Sequence, residues 1–162
     1  AKMASGVALI KVGGNTEVEM IERKYRIEDA LHATRAAVEE GIVPGGGMAL
    51  FKVWSTLAPL NPIQKFGHGS KVILEGCLAP IGRIAENAGH NKDVVINELR
   101  RLRAESPEIG WNAATDSYEN LIDAGVIDPV KVTRNALKNA ASVATTFLSL
   151  DAVIVEETDE QP

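Results

Sequence analysis

Two short β-branched segments at opposite ends of the chain constrain the fold more than any other feature, because neither has a neighbour in sequence to pair with. Gly6-Val7-Ala8-Leu9-Ile10-Lys11-Val12 is bracketed by Gly13-Gly14, and Leu150-Asp151-Ala152-Val153-Ile154-Val155 closes the last apolar stretch. Their shortness, β-branched residues and glycine boundary predict strands. What lies between is punctuated mainly like helices, so no hairpin mate is at hand. A strand must place its backbone donors and acceptors somewhere. The expectation is pairing with distant chain, or with chain beyond these 162 residues, and hence part of a larger protein.

The helical stretches carry their own start and stop signals. Thr16 with Glu19 three residues later has the form of a capping box. Ile27, Leu31, Thr34 and Val38 then fall on one helical face that runs to about Glu40, and Gly41 stands where a helix terminates. A second helix is predicted from Met48 to about Leu57, with Leu50, Trp54 and Leu57 on one face. Pro59 and Pro62 interrupt; Ser70 is positioned to cap a helix carrying Ile73, Cys77, Ile81 and Ile84, which Pro80 should kink or divide. Val95, Leu99 and Leu102 mark the inner face of a helix over 93–102. Thr115 is expected to cap a short helix ending at Gly125, and Asp128-Pro129 to start the longest helix, through Val132, Ala136, Ala140, Val143 and Phe147.

Composition narrows the chemistry. Lys plus Arg total 17 against 22 Asp plus Glu, a net charge of −5 that argues against a nucleic-acid binder. Arg100, Arg101 and Arg103 accordingly read as a solvated helix face. No apolar run approaches the ~20 residues of a membrane helix, and no charged-then-apolar leader is seen, so neither membrane nor secretion is expected. The single cysteine, Cys77, has core spacing and reads as a small buried hydrophobe. His32, His68 and His90 lack metal-ligand spacing, so zinc is not expected.

Gly41-Ile42-Val43-Pro44-Gly45-Gly46-Gly47 is the most unusual connection. Glycines at a helix start leave backbone amides free to hold a phosphate, or they form a hinge; spacing alone leaves both open. Neither the dinucleotide fingerprint nor the P-loop pattern is present. Asp29, in mid-helix, reads by spacing as a solvated surface residue, and Asp128 as a helix cap.

The segment from Ile27 through Glu28-Asp29-Ala30-Leu31-His32 to Pro44-Gly45-Gly46-Gly47 closely resembles the group I chaperonins, the GroEL type. So do Trp111-Asn112-Ala113-Ala114-Thr115 and Gly125-Val126-Ile127-Asp128-Pro129-Val130-Lys131-Val132-Thr133-Arg134. The resemblance runs in register from about Gly6 to Val155 and covers the C-terminal part of the family's chain. It implies a mainly α fold: a multihelical equatorial-domain half with short flanking β-strands and an intermediate-domain helix. Residues 1–7 would be an apical-domain remnant, 8–40 an intermediate-domain segment, and 41–162 the C-terminal half of the ATP-binding equatorial domain.

By the same resemblance Asp29 is the catalytic aspartate that orients the attacking water near magnesium, and Gly45 and Gly46 approach the nucleotide. Ile84, Trp111, Asn112, Ala113 and Val126 match adenine-pocket positions, and Asp128 the ribose-binding aspartate. No further metal ligand is assigned. Gly6 and Gly41 match interdomain hinges, and Glu40 with Arg134 a pair across the intermediate–equatorial junction. The implied cofactors are ATP and Mg²⁺, with K⁺ in the parent family. The implied partners are unfolded proteins, identical subunits in a heptameric-type ring and a GroES-type co-chaperonin. The compartment would be the bacterial cytoplasm, or alternatively the mitochondrial matrix or plastid stroma. The chain alone is expected to lack the phosphate and magnesium loops, to be inactive, and to expose apolar faces around Leu50, Ile73 and Val143. Trp111 stands where the family often has tyrosine, Gly82 and Asn91 stand where its best-known members carry arginine and glutamate, and the loop over 104–110 is longer than usual.

Overall fold

A computed structural model describes residues 8–155. The chain runs α1 (Glu17–Glu40), β1 (Ile42–Pro44), α2 (Met48–Leu57), a 3-10 turn (Ala58–Leu60), α3 (Pro62–Phe66), α4 (Gly69–Asn87), α5 (Lys92–Glu105), β2 (Ile109–Asn112), β3 (Ser117–Asn120), β4 (Ile127–Pro129) and α6 (Val130–Leu148). It is mainly helical, and its few strands are short.

The opening of α1 follows the capping logic. Thr16 Oγ1 accepts from the Glu19 N–H at 3.2 Å, while the Glu19 carboxylate accepts from the Asn15 N–H at 2.8 Å. At the other end Gly41 adopts φ +86°, a left-handed value that favours glycine, and its N–H closes on the Ala37 carbonyl. No α1 residue is buried, however, and Val38 on the predicted apolar face is 83% exposed. The periodicity is present, but the helix finds little cover; its main packing partners among the described residues are β4 and α6.

Gly41 leads directly into β1, which pairs antiparallel with β4 in the register Ile42↔Pro129, Val43↔Asp128, Pro44↔Ile127. The Gly45 N–H donates to Val126 O at 2.9 Å and the Val130 N–H to Gly41 O at 3.1 Å, extending the ladder at both ends. Asp128 therefore sits in a strand, and Pro129, not Asp128, occupies the position before α6, with no side-chain cap. The longest helix is α1, not α6.

The core lies between α2, α4, α5 and the β2–β3 hairpin. Phe51, Ile81, Ala85, Leu99 and Leu121 are completely buried, with Met48, Val95 and Trp111 nearly so. Close approach fixes two glycines. A Cβ at Gly47 would meet the Ile81 backbone nitrogen at 2.7 Å, and one at Gly110 would meet Leu121 Cδ1 at 2.6 Å. Helix α4 continues through Pro80. The proline costs a ladder hydrogen bond and crowds the carbonyl one turn earlier, here on Gly76, but burial of Cys77, Ile81, Gly82 and Ala85 holds the helix together. Ser70 does not cap it; its hydroxyl donates to Gly67 O at 2.7 Å.

Two other expectations fail. Thr115 lies in the tight turn of an antiparallel hairpin, with Trp111↔Tyr118 and Asn112↔Ser117 in register. Asp116 takes a left-handed φ of +50°, Asn112 Oδ1 accepts from the Ala114 N–H at 3.1 Å, and the short-range polar bonds favour a turn over a helix. Residues 8–12 and 150–155 form no strand, since no described segment lies beside them to complete a ladder. Gly6 and the 1–7 segment lie outside the described residues. Ile73 and Val143 are exposed, and half-buried Leu50 lines an apolar groove of about 570 Å³ with Val53, Leu57 and Leu137.

Candidate functional site

The β1–β4 ladder brings together residues that the sequence separates widely. A cleft of about 530 Å³ opens between the C-terminal half of α1 and the β4–α6 junction, and both Asp29 and Asp128 line it. Asp29 is exposed on α1. Asp128 is half-buried, and burial pushes its carboxyl above the ordinary carboxylate range. A half-buried carboxyl at the edge of the cleft offers acceptor oxygens to a hydroxyl-bearing ligand.

His32, Arg35 and Glu39 from α1 and Lys131 from α6 complete the walls. Where α1 ends, Lys131 hydrogen-bonds Glu39, and that hydrogen bond, with the lysine charge, holds the Glu39 carboxyl below its usual range. Next to it Arg134 Nη2 donates to Glu40 Oε1 at 2.7 Å. Two adjacent ion pairs thus join α1 to α6 beside the cleft.

The glycine turn stands at the far end of β1. A Cβ on Gly45 would meet Val126 and the Ile127 nitrogen at 3.2 Å, and one on Gly46 would lie 3.7 Å from the Trp111 carbonyl. Gly45, Gly46, Val126 and Trp111 therefore form one cluster. The Trp111 ring is 2% exposed: it packs in the core, donates from Nε1 to Asp116 Oδ1 at 3.1 Å, and meets His90 edge-on at 5.3 Å. Asn112 spends both ends of its amide inside the hairpin, donating to Glu119 Oε1 at 2.8 Å. Ala113 and Ile84 pack on the rim of the core. So the aspartates share the cleft, the glycines and Val126 flank it, and Ile84, Asn112 and Ala113 belong to the body on the other side of the glycine turn.

Sequence reasoning missed His32, Arg35, Lys131 and Asn135, all of which line the cleft. The first follows from helical spacing, three residues after Asp29 on the same face. The α6 residues carry no local signal, because their proximity depends on the β1–β4 pairing.

The chain, its mainly helical fold included, matches a known family. The family model described as TCP-1/cpn60 chaperonin family covers residues 2–158, and the chain belongs to that family. Among solved structures, it is similar to a crystal structure of a group III chaperonin in the open state, with a TM-score of 0.73 and 29% sequence identity over 88% of this chain. The chain spans only 30% of that relative's length.

Proposed function

We propose that this chain supplies the C-terminal part of a group I chaperonin subunit: an intermediate-domain helix, α1, and half of the ATP-binding equatorial domain. The subunit would assemble with identical copies into a heptameric-type ring that takes up unfolded proteins with a GroES-type co-chaperonin. The observation that carries the reading is the convergence of Asp29 and Asp128 on one cleft beside the Gly45–Gly47 turn. The extended run of matching motifs supports group I over the other chaperonin groups.

The donor set fits a nucleotide with magnesium. Gly45 and Gly46 present bare backbone against Val126 and Trp111, where any side chain would collide or strain. Among the described residues no three His, Cys, Asp or Glu side chains cluster tightly enough to hold a metal unaided. Magnesium takes one or two carboxylates and leaves its other positions to phosphate and water, so Asp29 is the ligand or water-orienting group this chain offers. Bound ATP and Mg²⁺ would supply the scissile phosphoanhydride and neutralise its charge. Asp128 holds the ribose hydroxyls; Asp29 accepts a proton from, and aims, the attacking water. Lys131 and Arg134 keep α1 seated over the cleft through Glu39 and Glu40. With its ring in the core, Trp111 acts through the backbone of its turn rather than by stacking on a base. Gly41, with open space where a Cβ would stand, is the pivot between arm and body.

Water positioning and proton transfer contribute roughly 10²–10⁴ in rate. In the complete subunit Asp29→Ala should lower ATP turnover by about that factor with little change in nucleotide affinity, whereas Asp128→Ala should weaken binding. Equal losses of both in Asp29→Ala would overturn its assignment. The 162-residue chain alone should show weak, nucleoside-like binding by calorimetry and no phosphate release. Micromolar affinity with steady turnover would overturn the division of the site between this chain and the rest of the subunit.

A further inference from the structure

We propose that the pocket between α2 and the last turns of α5, remote in sequence from the aspartate cleft, binds a small aromatic anion: a planar ring bearing a carboxylate or phosphate group. The pocket measures about 630 Å³. Its lining combines the apolar side chains of Phe51, Trp54, Pro59 and Pro107 with the cations Lys52, Arg100 and Arg103. No carboxylate lines it, in a protein of net charge −5.

Each of these cations has donors to spare. The Arg100 guanidinium lies over the Trp54 ring, 5.1 Å from its centroid, a cation–π contact that uses none of its N–H donors. Among the described residues it has no acidic partner within 4.0 Å, although the neighbouring Arg101 is taken up by Glu98. Arg103, three residues on and so on the same helix face, donates from Nη1 to the Ile109 carbonyl at 2.9 Å and keeps its other nitrogens unspent. Lys52 reaches Glu108 only loosely, at 3.8 Å. Ser55 and Thr56 both donate inward to the Lys52 carbonyl, so their hydroxyls add no anchoring for an anion. Arg100 and Arg101 are exposed, as a solvated face requires, and Arg100 also lies over the Trp54 ring.

A guanidinium fork beside an apolar wall recognises a ligand with the same division. The ring enters between Trp54 and the prolines, and the anionic group takes a bidentate hydrogen bond from Arg100 with support from Arg103 or Lys52. Inorganic phosphate alone forfeits the wall, and phenol alone forfeits the cations.

Phenyl phosphate added to the full chain is the test. Trp111 is buried, so quenching of tryptophan fluorescence reports on Trp54. We expect saturable quenching with a dissociation constant on the order of 1 mM, and responses at least tenfold weaker from inorganic phosphate and from phenol. Amide chemical shifts should move at Trp54 and along Arg100–Arg103. Arg100→Gln, an exposed position, should weaken binding about tenfold, and Arg100→Lys should restore only part of it because ammonium lacks the fork. Absence of saturation, shifts confined to the Gly45–Gly47 turn and Asp128, or an unchanged response in Arg100→Gln would each overturn the proposal.

Discussion

The long arm α1 and the α2–α4–α5–hairpin body are held in place by opposite means. The body has a continuous apolar core in which Phe51, Ile81, Leu99 and Trp111 interlock. The arm, at 24 residues the longest element, buries none of them. It is tethered at its C-terminal end by the glycine junction, the short β1–β4 ladder and two ion pairs to α6. Burial is worth several kcal/mol per large side chain, and an exposed ion pair at most about one. The segment that carries Asp29 is thus joined to the body by interactions that are individually weak.

The sharpest way to break this comparison is to truncate one large side chain in each region. Phe51→Ala leaves a cavity in a site with no exposed surface, and should cost about 3–5 kcal/mol in denaturant unfolding. Leu31→Ala, on α1 at a position 45% exposed, should cost well under that, about 1 kcal/mol or less. Comparable losses would mean that the arm is part of the core. A smaller effect is expected at the joint between glycine turn and body: Gly47→Ala forces a Cβ toward the Ile81 nitrogen at a φ of +76°, for a loss of about 1–3 kcal/mol. A neutral outcome there would show that α2 can slide on α4.

The same division explains what was legible in the sequence. Start and stop chemistry is local, so Thr16, Glu19 and Gly41 outlined α1, and the spacing of Cys77, Ile81, Val95 and Leu99 marked the buried faces of α4 and α5. Periodicity reports which face is apolar, not whether anything covers it, and this misled at Leu31 and Val38, whereas Ile27 is half-buried. The β1–β4 ladder joins segments far apart in the chain, so Asp128 looked like a cap when it is a strand residue. The hairpin was missed because Asn112, Thr115 and Asp116 suit helix starts and tight turns equally well; the Trp111–Tyr118 pairing decides for the turn. Of the site, the family motif marked the aspartates and glycines, while Lys131 and Asn135, which line the cleft from α6, came only with the packing.

The ion pairs sharpen the comparison at lower energy. A double-mutant cycle on Glu40→Gln and Arg134→Gln should give a coupling of about 0.2–1 kcal/mol in low salt, fading as ionic strength rises. In the complete subunit the proposed pivoting of α1 would make the coupling appear mainly in the balance between conformational states. A coupling that persists undiminished in high salt would place it with the buried body rather than with the tether.

The smallest expected effect is a difference in sign between two carboxyls near the cleft. Glu39 is held below its ordinary range by its hydrogen bond to Lys131, so its support for the fold is complete above the unfolded value, about pH 4, and is lost as pH falls through the depressed one. Asp128 is shifted the other way by burial; it favours the fold when protonated, and that contribution disappears as pH rises through its raised value. Glu39→Gln should therefore flatten the acid limb of the stability curve. Asp128→Asn should gain on the wild type with rising pH, since it removes a charge from a half-buried position without changing the shape of the side chain. Unfolding titrations of the two variants between acid and neutral pH read both slopes directly. If both variants shift the curve in the same sense, Asp128 is solvated like the arm rather than enclosed at the edge of the body, and the cleft is more open than its walls indicate.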